Sequence, residues 1–223
     1  MIAASRGNNK KEIEFMFLKL LDNFFNRRAK KFFLMNVTYK GSNETLEILR
    51  HAHARPFRGS SPRDIVIGDG FRLFGGVIVS QNGGKIVIGE NVQFGFNTLV
   101  GAANSVTIGD YAIFADNVTI MDNNNHPVNP LDRAIIYRRT DRNSEYRGWK
   151  YSISLPIVIG NNVWCGSNVR INKGVTIGDG AVIAANTVVV KDVPANSICA
   201  GNPGKIVKIN IDKIQRLIPD DAI

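Results

Sequence analysis

Ile159, Cys165, Ile171, Ile177, Ile183 and Val189 recur at a strict interval of six residues. Neither the 3.6-residue period of a helix nor the two-residue period of a strand produces that interval. A second register runs beside the first at Ile157, Val163, Val169 and Val175, and continues through Ala181 and Thr187 to Val193. Gly160, Gly166, Gly178 and Ala184 directly follow members of the first register. A flat-sided coil that buries one residue per face meets this pattern, and three six-residue faces make an 18-residue turn. Ile159 is then expected to stack on Ile177.

The pattern is present earlier in a looser form. Ile88, Phe94 and Val100 are six apart, as are Ile108, Phe114 and Ile120, and Ile67-Gly68 opens a still earlier turn. The pairs Ile67-Gly68, Ile88-Gly89 and Ile108-Gly109 lie about 20 residues apart, which predicts small bulges at corners. Between Met121 and Pro156 the period vanishes. That polar, charged, proline-bearing segment must leave the coil as a long loop, and loops beyond ~15 residues inside a compact domain are usually functional. It holds the only histidine of the repeat region, His126.

Charge is distributed unevenly. Residues 1–58 carry 12 Lys/Arg against 5 Asp/Glu, whereas residues 59–223 carry 16 against 14, so the coil is near neutral. A hydrophobic content of 44% excludes a disordered chain. The run Phe15–Leu21, interrupted by Lys19, is too short to span a membrane, and no secretory signal is expected. Two cysteines make no disulfide framework. A cytoplasmic location, with access to the inner face of the membrane, is the expectation.

Residues 10–35 are expected to form an amphipathic helix with Ile13, Phe17, Leu20, Leu21, Phe24 and Phe25 on one face and a basic opposite face. Solenoid ends need caps, so one role is capping; another is docking on anionic lipid or an acidic polymer. Nothing in the segment supports nucleic-acid binding. The expected organisation is a basic helical appendage over 1–60, a coil over 61–210 with the loop 121–156, and a cap over 211–223 that includes a short helix from Ile211. His51 and His53 form an HxH pair without further ligands in sequence, so a surface role is expected and no metal.

The segments Pro156–Ser167, Gly174–Ile183 and Lys191-Asp-Val-Pro lead into Ala200-Gly-Asn-Pro-Gly-Lys. Together with Asn125-His126-Pro127 they resemble the hexapeptide-repeat acyltransferases, in the branch of galactoside, maltose and sialic-acid O-acetyltransferases. The resemblance covers roughly 63–210. It implies a mainly β fold, a left-handed parallel β-helix, assembled as a homotrimer with acetyl-CoA in the groove between neighbouring coils. By the same resemblance His126 is the catalytic base. A sugar hydroxyl is a poor nucleophile near neutrality, and an imidazole with a pKa around ~6.5 can take its proton as it attacks a thioester. Asp122 or a backbone carbonyl would serve to orient the other ring nitrogen.

Asn97 matches an asparagine that holds the acceptor; a corner asparagine in left-handed geometry is the structural alternative. Trp164 matches a tryptophan beside acceptor and thioester, and Cys165 replaces the usual isoleucine after it. Ser167, Ala185 and Lys191 match cofactor-contacting positions, and Lys205 and Lys208 stand where the family has phosphate-binding arginines. Lysine keeps the charge and loses the bidentate fork.

The loop from Asp132 to Tyr151 carries six Lys/Arg against three Asp/Glu, with Trp149, Tyr146 and Tyr151 as aromatic surfaces. Arg138, Arg139 and Trp149 are therefore candidate contacts for an acidic glycan, such as a sialic-acid polymer of a capsule or surface polysaccharide. The competing role for the arginines is contact between subunits. An antibiotic acetyltransferase, an amino-sugar N-acetyltransferase and a non-catalytic scaffold remain alternatives. A metal-dependent hydratase on the same coil needs about three histidines, and only His126 is available.

Overall fold

The computed structural model describes residues 3–138, 146 and 148–218, with side chains from Phe15 onward. A long helix, α1 (Ala3–Leu34), leads into a parallel β-solenoid with three faces. The first face stacks Thr38–Tyr39, Ile65–Ile67, Lys85–Ile88, Ser105–Ile108, Ile157–Ile159 and Thr176–Ile177. The second stacks Glu47–Ile48, Arg72–Leu73, Gln93–Phe94, Ile113–Phe114, Trp164–Cys165, Val182–Ile183 and Ile198–Ala200. The third stacks Ala52–Phe57, Gly76–Gln81, Thr98–Ala102, Thr119–Met121, Arg170–Asn172 and Val188–Val189. The chain visits the faces in turn and climbs one rung per circuit.

The six-residue register becomes three columns inside this prism. Ile67, Ile88, Ile108, Ile159 and Ile177 align on the first face, so Ile159 does sit on Ile177. Leu73, Phe94, Phe114, Cys165, Ile183 and Cys199 align on the second. Ile78, Val100, Ile120, Ile171 and Val189 align on the third. All are buried. Aromatic bulk is concentrated toward the N-terminal end: Phe33 stacks on Phe71, Phe71 meets Phe94 edge-on, and Phe94 stacks on Phe114 at 4.5 Å. Corners are turned by residues in left-handed geometry, Asn91, Tyr111 and Asn162 at one and Asn97, Asn117, Asn168 and Asn186 at the next. Asparagine tolerates that region better than most residues. Close stacking explains the small residues after the register: a Cβ on Gly160 would lie 2.2 Å from an oxygen of Asp179.

The extra residues behind the 20-residue spacing sit at one corner, between the third and first faces. In the regular rungs Ile171 and Ile177 are six apart; Val100 and Ile108 are eight apart, and Ile78 and Ile88 ten. The long loop leaves from this same corner, between Ile120 and Ile159. Its stems are laced antiparallel, with Asn124 N–H donating to Ile153 O (3.1 Å) and Leu155 N–H to Asp122 O (2.9 Å).

Two expectations need correction. The coil begins upstream of residue 61: Thr38–Tyr39, Glu47–Ile48 and Ala52–Phe57 pair in parallel with the next rung. Its apolar positions Leu46, Ile48, Ala52 and Ala54 are separated by polar turns, so no six-residue period announces it. The loop contains a second helix, α2 (Pro130–Arg138). At the C-terminal end the last rung is met by the antiparallel strand Lys205–Lys208, and the short helix expected from Ile211 is a 3-10 helix at Ile211–Lys213. That helix buries none of its residues.

Candidate functional site

The loop is anchored through Asp122. Its buried carboxylate accepts the N–H groups of Ala103 (2.9 and 3.0 Å) and Asn104 (2.7 Å) and the Asn123 side-chain amide (2.9 Å). Burial raises its pKa, and the amides that bond it oppose the shift. These bonds tie Asp122 to the neighbouring rung, and they are the partners it shows. Asn123 continues the chain, its side-chain oxygen accepting the Asn125 N–H at 2.8 Å. Asn125 is left-handed (φ 63°), and the His126 N–H donates to Asn124 O at 2.7 Å. This tight turn, an Asx turn followed by a reversal, pushes the His126 ring out to solvent.

α2 then folds back on that turn. Asn129 caps it by accepting the Leu131 N–H at 2.8 Å, and Pro130 takes the first helical position. Arg133, one turn in, donates from its guanidinium to the carbonyls of Pro127 (3.1 Å) and Val128. The rings of His126 and Tyr137 lie 6.2 Å apart.

His126 stands at a cleft of about 520 Å³ lined by Asn123, Asn124, Arg133, Arg170, Asn172 and Lys173 among others, with no carboxylate among the described residues of its wall. Arg170 and Asn172 belong to the third face, and the Arg170 Nε donates to Asn172 Oδ1 at 3.0 Å. Three cations thus surround one exposed imidazole, a setting that favours an anionic ligand. Arg170, Asn172 and Lys173 were not legible in sequence. Outward positions of a coil carry no periodic signature, and 44 residues separate Arg170 from His126.

The other expected site residues fall into two groups. Asn97 lies at the corner between the second and third faces, left-handed, its Nδ2 donating to Asn117 Oδ1 at 3.2 Å. Asn117 and Asn168 continue the ladder to Asn186. Asn97 therefore has the corner role, with its side chain engaged in that ladder. Ser167 and Ala185 occupy the same corner in successive rungs, and Trp164, 56% exposed, projects from the second face between Ile113 and Val182. Cys165 behind it is buried, and burial pushes its thiol pKa up, so it acts as an apolar core residue. The second group is Lys191 and Lys205, which line one cleft of about 340 Å³ with Val190, Pro203 and Ile206. Lys208 is exposed farther along the same strand.

Of the loop residues, Arg138 is exposed at the end of α2. Arg139 lies outside the described residues. Trp149 packs inward: a Cβ on Gly101 would come within 2.8 Å of its ring and 2.6 Å of Met121 Sδ. Its ring thus clamps the loop to the third face instead of offering a free platform. Tyr146 and Tyr151 stack on one another at 5.5 Å. His51 accepts from Arg50 Nε at 3.0 Å, and among the described residues no cluster of three potential metal ligands forms.

A three-faced parallel coil with a histidine-bearing loop at one corner defines a hexapeptide-repeat solenoid. Residues 156–191 match the bacterial transferase hexapeptide (six repeats), and residues 85–121 match the hexapeptide repeat of succinyl-transferase. Over these two segments the chain is similar to hexapeptide-repeat transferases. It is 41% identical over 126 residues to the galactoside O-acetyltransferase of Escherichia coli, an alignment covering 56% of this chain and 55% of that one. The chain thus spans about half the length of the curated relatives it matches. Among solved structures it is similar to the polySia specific acetyltransferase NeuO, at 29% identity and a TM-score of 0.55, covering 83% of this chain and 71% of that one. It is also similar to a galactoside acetyltransferase in complex with coenzyme A, at 28% identity and a TM-score of 0.52, covering 89% and 87%.

Proposed function

We propose that this protein transfers an acetyl group from acetyl-CoA to a hydroxyl of a saccharide, and that the saccharide is acidic, such as a sialic-acid polymer. The observation that carries the reading is the exposed His126 imidazole on a cleft walled by Arg133, Arg170 and Lys173, with no opposing carboxylate among the described residues. The similar structures, one a polySia specific acetyltransferase and one a galactoside acetyltransferase with coenzyme A, support the reaction class.

In this reading His126 accepts the proton of the acceptor hydroxyl as that oxygen bonds to the thioester carbonyl carbon. When the carbon–sulfur bond breaks, His126 returns the proton to the departing thiolate, and no acyl-enzyme forms. Asn123, through the Asn125 amide, holds the imidazole outward. Arg170 and Lys173 attract the acceptor's negative charge. The cofactor slot fits a slender, phosphate-tailed carrier: Trp164 offers an exposed ring beside the small corner residues Ser167 and Ala185, and Lys191 and Lys205 share a cleft at the end of the coil. Asn97, Trp164, Ser167 and Ala185 do not line the cleft of His126 in one chain. A homotrimer that sets the second face of one copy against the loop of the next would complete the site, and a cytoplasmic location would supply the acetyl-CoA.

The test is mass spectrometry of neutral and acidic saccharides incubated with acetyl-CoA and either wild type or His126→Ala. The expected result is a 42-dalton ester gain (the acetyl increment, about 42 by composition) on an acidic saccharide with wild type alone. Equal product with both proteins would remove His126 from the chemistry, and product only on an antibiotic hydroxyl would reassign the acceptor.

A further inference from the structure

Helix α1 runs for 32 residues, yet the coil holds only one stripe of its C-terminal half. Asp22 pairs with Arg50 at 3.3 Å, and Asn26 Oδ1 accepts the Arg50 N–H at 2.9 Å. Lys30 donates to Leu46 O at 2.6 Å, and Phe33 is fully buried against Phe71. Positions 22, 26, 30 and 33 share one side of a helix.

Half a turn away lies an exposed apolar stripe: Phe17, Leu20, Phe24, Phe25, Phe32 and Met35, between 46% and 66% exposed. A single core needs one such stripe, and here the stripe that packs on the core is the other one. Residues 15–35 hold five cations against one carboxylate, and that carboxylate, Asp22, is turned to the coil. Arg27, Arg28 and Lys31 flank the exposed phenylalanines, with the Arg28 guanidinium 5.8 Å from the Phe24 ring centroid.

We infer that this stripe docks on an anionic lipid surface, with the phenylalanines in the acyl boundary and Arg27, Arg28 and Lys31 at the headgroup phosphates. Arg28 decides between lipid and a second copy of the helix. It falls between Phe24 and Phe32 at successive four-residue steps, inside the stripe. An identical helix laid on that stripe would bury Arg28 without a carboxylate to pair it, which is costly. At a membrane the same side chain extends its stem over apolar surface and keeps its charge among phosphates. Among the described residues no helix is long and apolar enough to cross a membrane, so α1 lies on the surface.

The full chain is sedimented with phosphatidylcholine–phosphatidylglycerol vesicles and with phosphatidylcholine vesicles. Wild type should pellet with the first, about tenfold more than with the second, and be released by high salt. Phe24→Glu/Phe32→Glu should abolish pelleting, and Arg28→Glu/Lys31→Glu should weaken it about tenfold. Phe33 is retained in both variants, and unchanged far-ultraviolet dichroism and thermal melts confirm that the coil stays folded. Wild type remaining in solution with both vesicles overturns the inference, as does equal binding by Phe24→Glu/Phe32→Glu. A fall in light-scattering mass of that variant without vesicles also overturns it, by assigning the stripe to a second copy.

Discussion

The Asn123 side chain accepts the backbone N–H of Asn125 at 2.8 Å, and so fixes the turn that holds His126 away from the coil. Because Asn123 also donates to buried Asp122, the position of the imidazole is referred back to the solenoid core. A loop that would otherwise sample many orientations is given one.

Replacing Asn123 by Ala frees that turn without touching the reacting atoms. The expected outcome is a fall in kcat of about tenfold to a hundredfold, the scale of a misplaced catalytic group. KM for acetyl-CoA should be unchanged. His126→Ala should cost about 10²–10⁴ in kcat. Steady-state kinetics on one acceptor check both, and an unaltered rate for His126→Ala would exclude its role as base.

Arg170→Gln and Lys173→Gln each remove one positive charge from the His126 cleft. Each should raise KM for an acidic acceptor roughly tenfold, the size of one lost charge-assisted hydrogen bond, and spare acetyl-CoA. Lys205→Gln, at the far cleft, should do the reverse. Equal effects of all three on both substrates would show that the two clefts do not divide the work.

Asp64 is almost fully buried and closes a short capping box with Ser61, whose N–H it accepts at 2.7 Å. The hydrogen bond from Lys85 is the main cause that holds its pKa below the usual aspartate value, with the Ser61 N–H next. A lowered folded-state pKa means that the stabilisation is present above the unfolded value of ~3.9 and is lost as pH falls through the folded one. Thermal melts of wild type and Asp64→Asn across the acid range should therefore differ above about pH 4 and converge below it. A difference that persists in strong acid would refute the assignment.

Gly76 tests the stacking itself. Its φ is 133°, and a Cβ there would lie 2.1 Å from the Thr98 carbonyl oxygen on the next rung. Gly76→Ala should cost about 2–4 kcal/mol, combining a disfavoured backbone angle with overpacking. Chemical denaturation measures it.

Where a residue points inward, its place was readable in advance. Ile159, Cys165, Ile171 and Ile177 had to fall in columns, because a six-residue interval has one geometric solution that buries them all. The loop was equally visible, since a run without the register cannot stay in the wall. α2 was missed although Asn129-Pro130 at its start and Arg138 at its end are ordinary helix boundaries, because an exposed nine-residue helix carries no buried stripe. The first rung was missed because its apolar residues are spaced by polar turns. Trp149 reads as a free aromatic face in sequence, because nothing local shows that Gly101 and Met121 leave room for its ring.

By itself, then, the sequence determined the coil, the length of its regular turns, the corner at which the chain departs and the histidine it takes outward. Those are consequences of spacing, which is local. Only the tertiary structure decided that Arg170 and Lys173 face His126, that Asp122 serves the neighbouring rung, and that α1 keeps one stripe for the core and leaves the other bare. Each of these depends on which rungs become neighbours and which way a helix is rolled against them, and a periodic pattern specifies what is buried without saying what stands beside it on the outside.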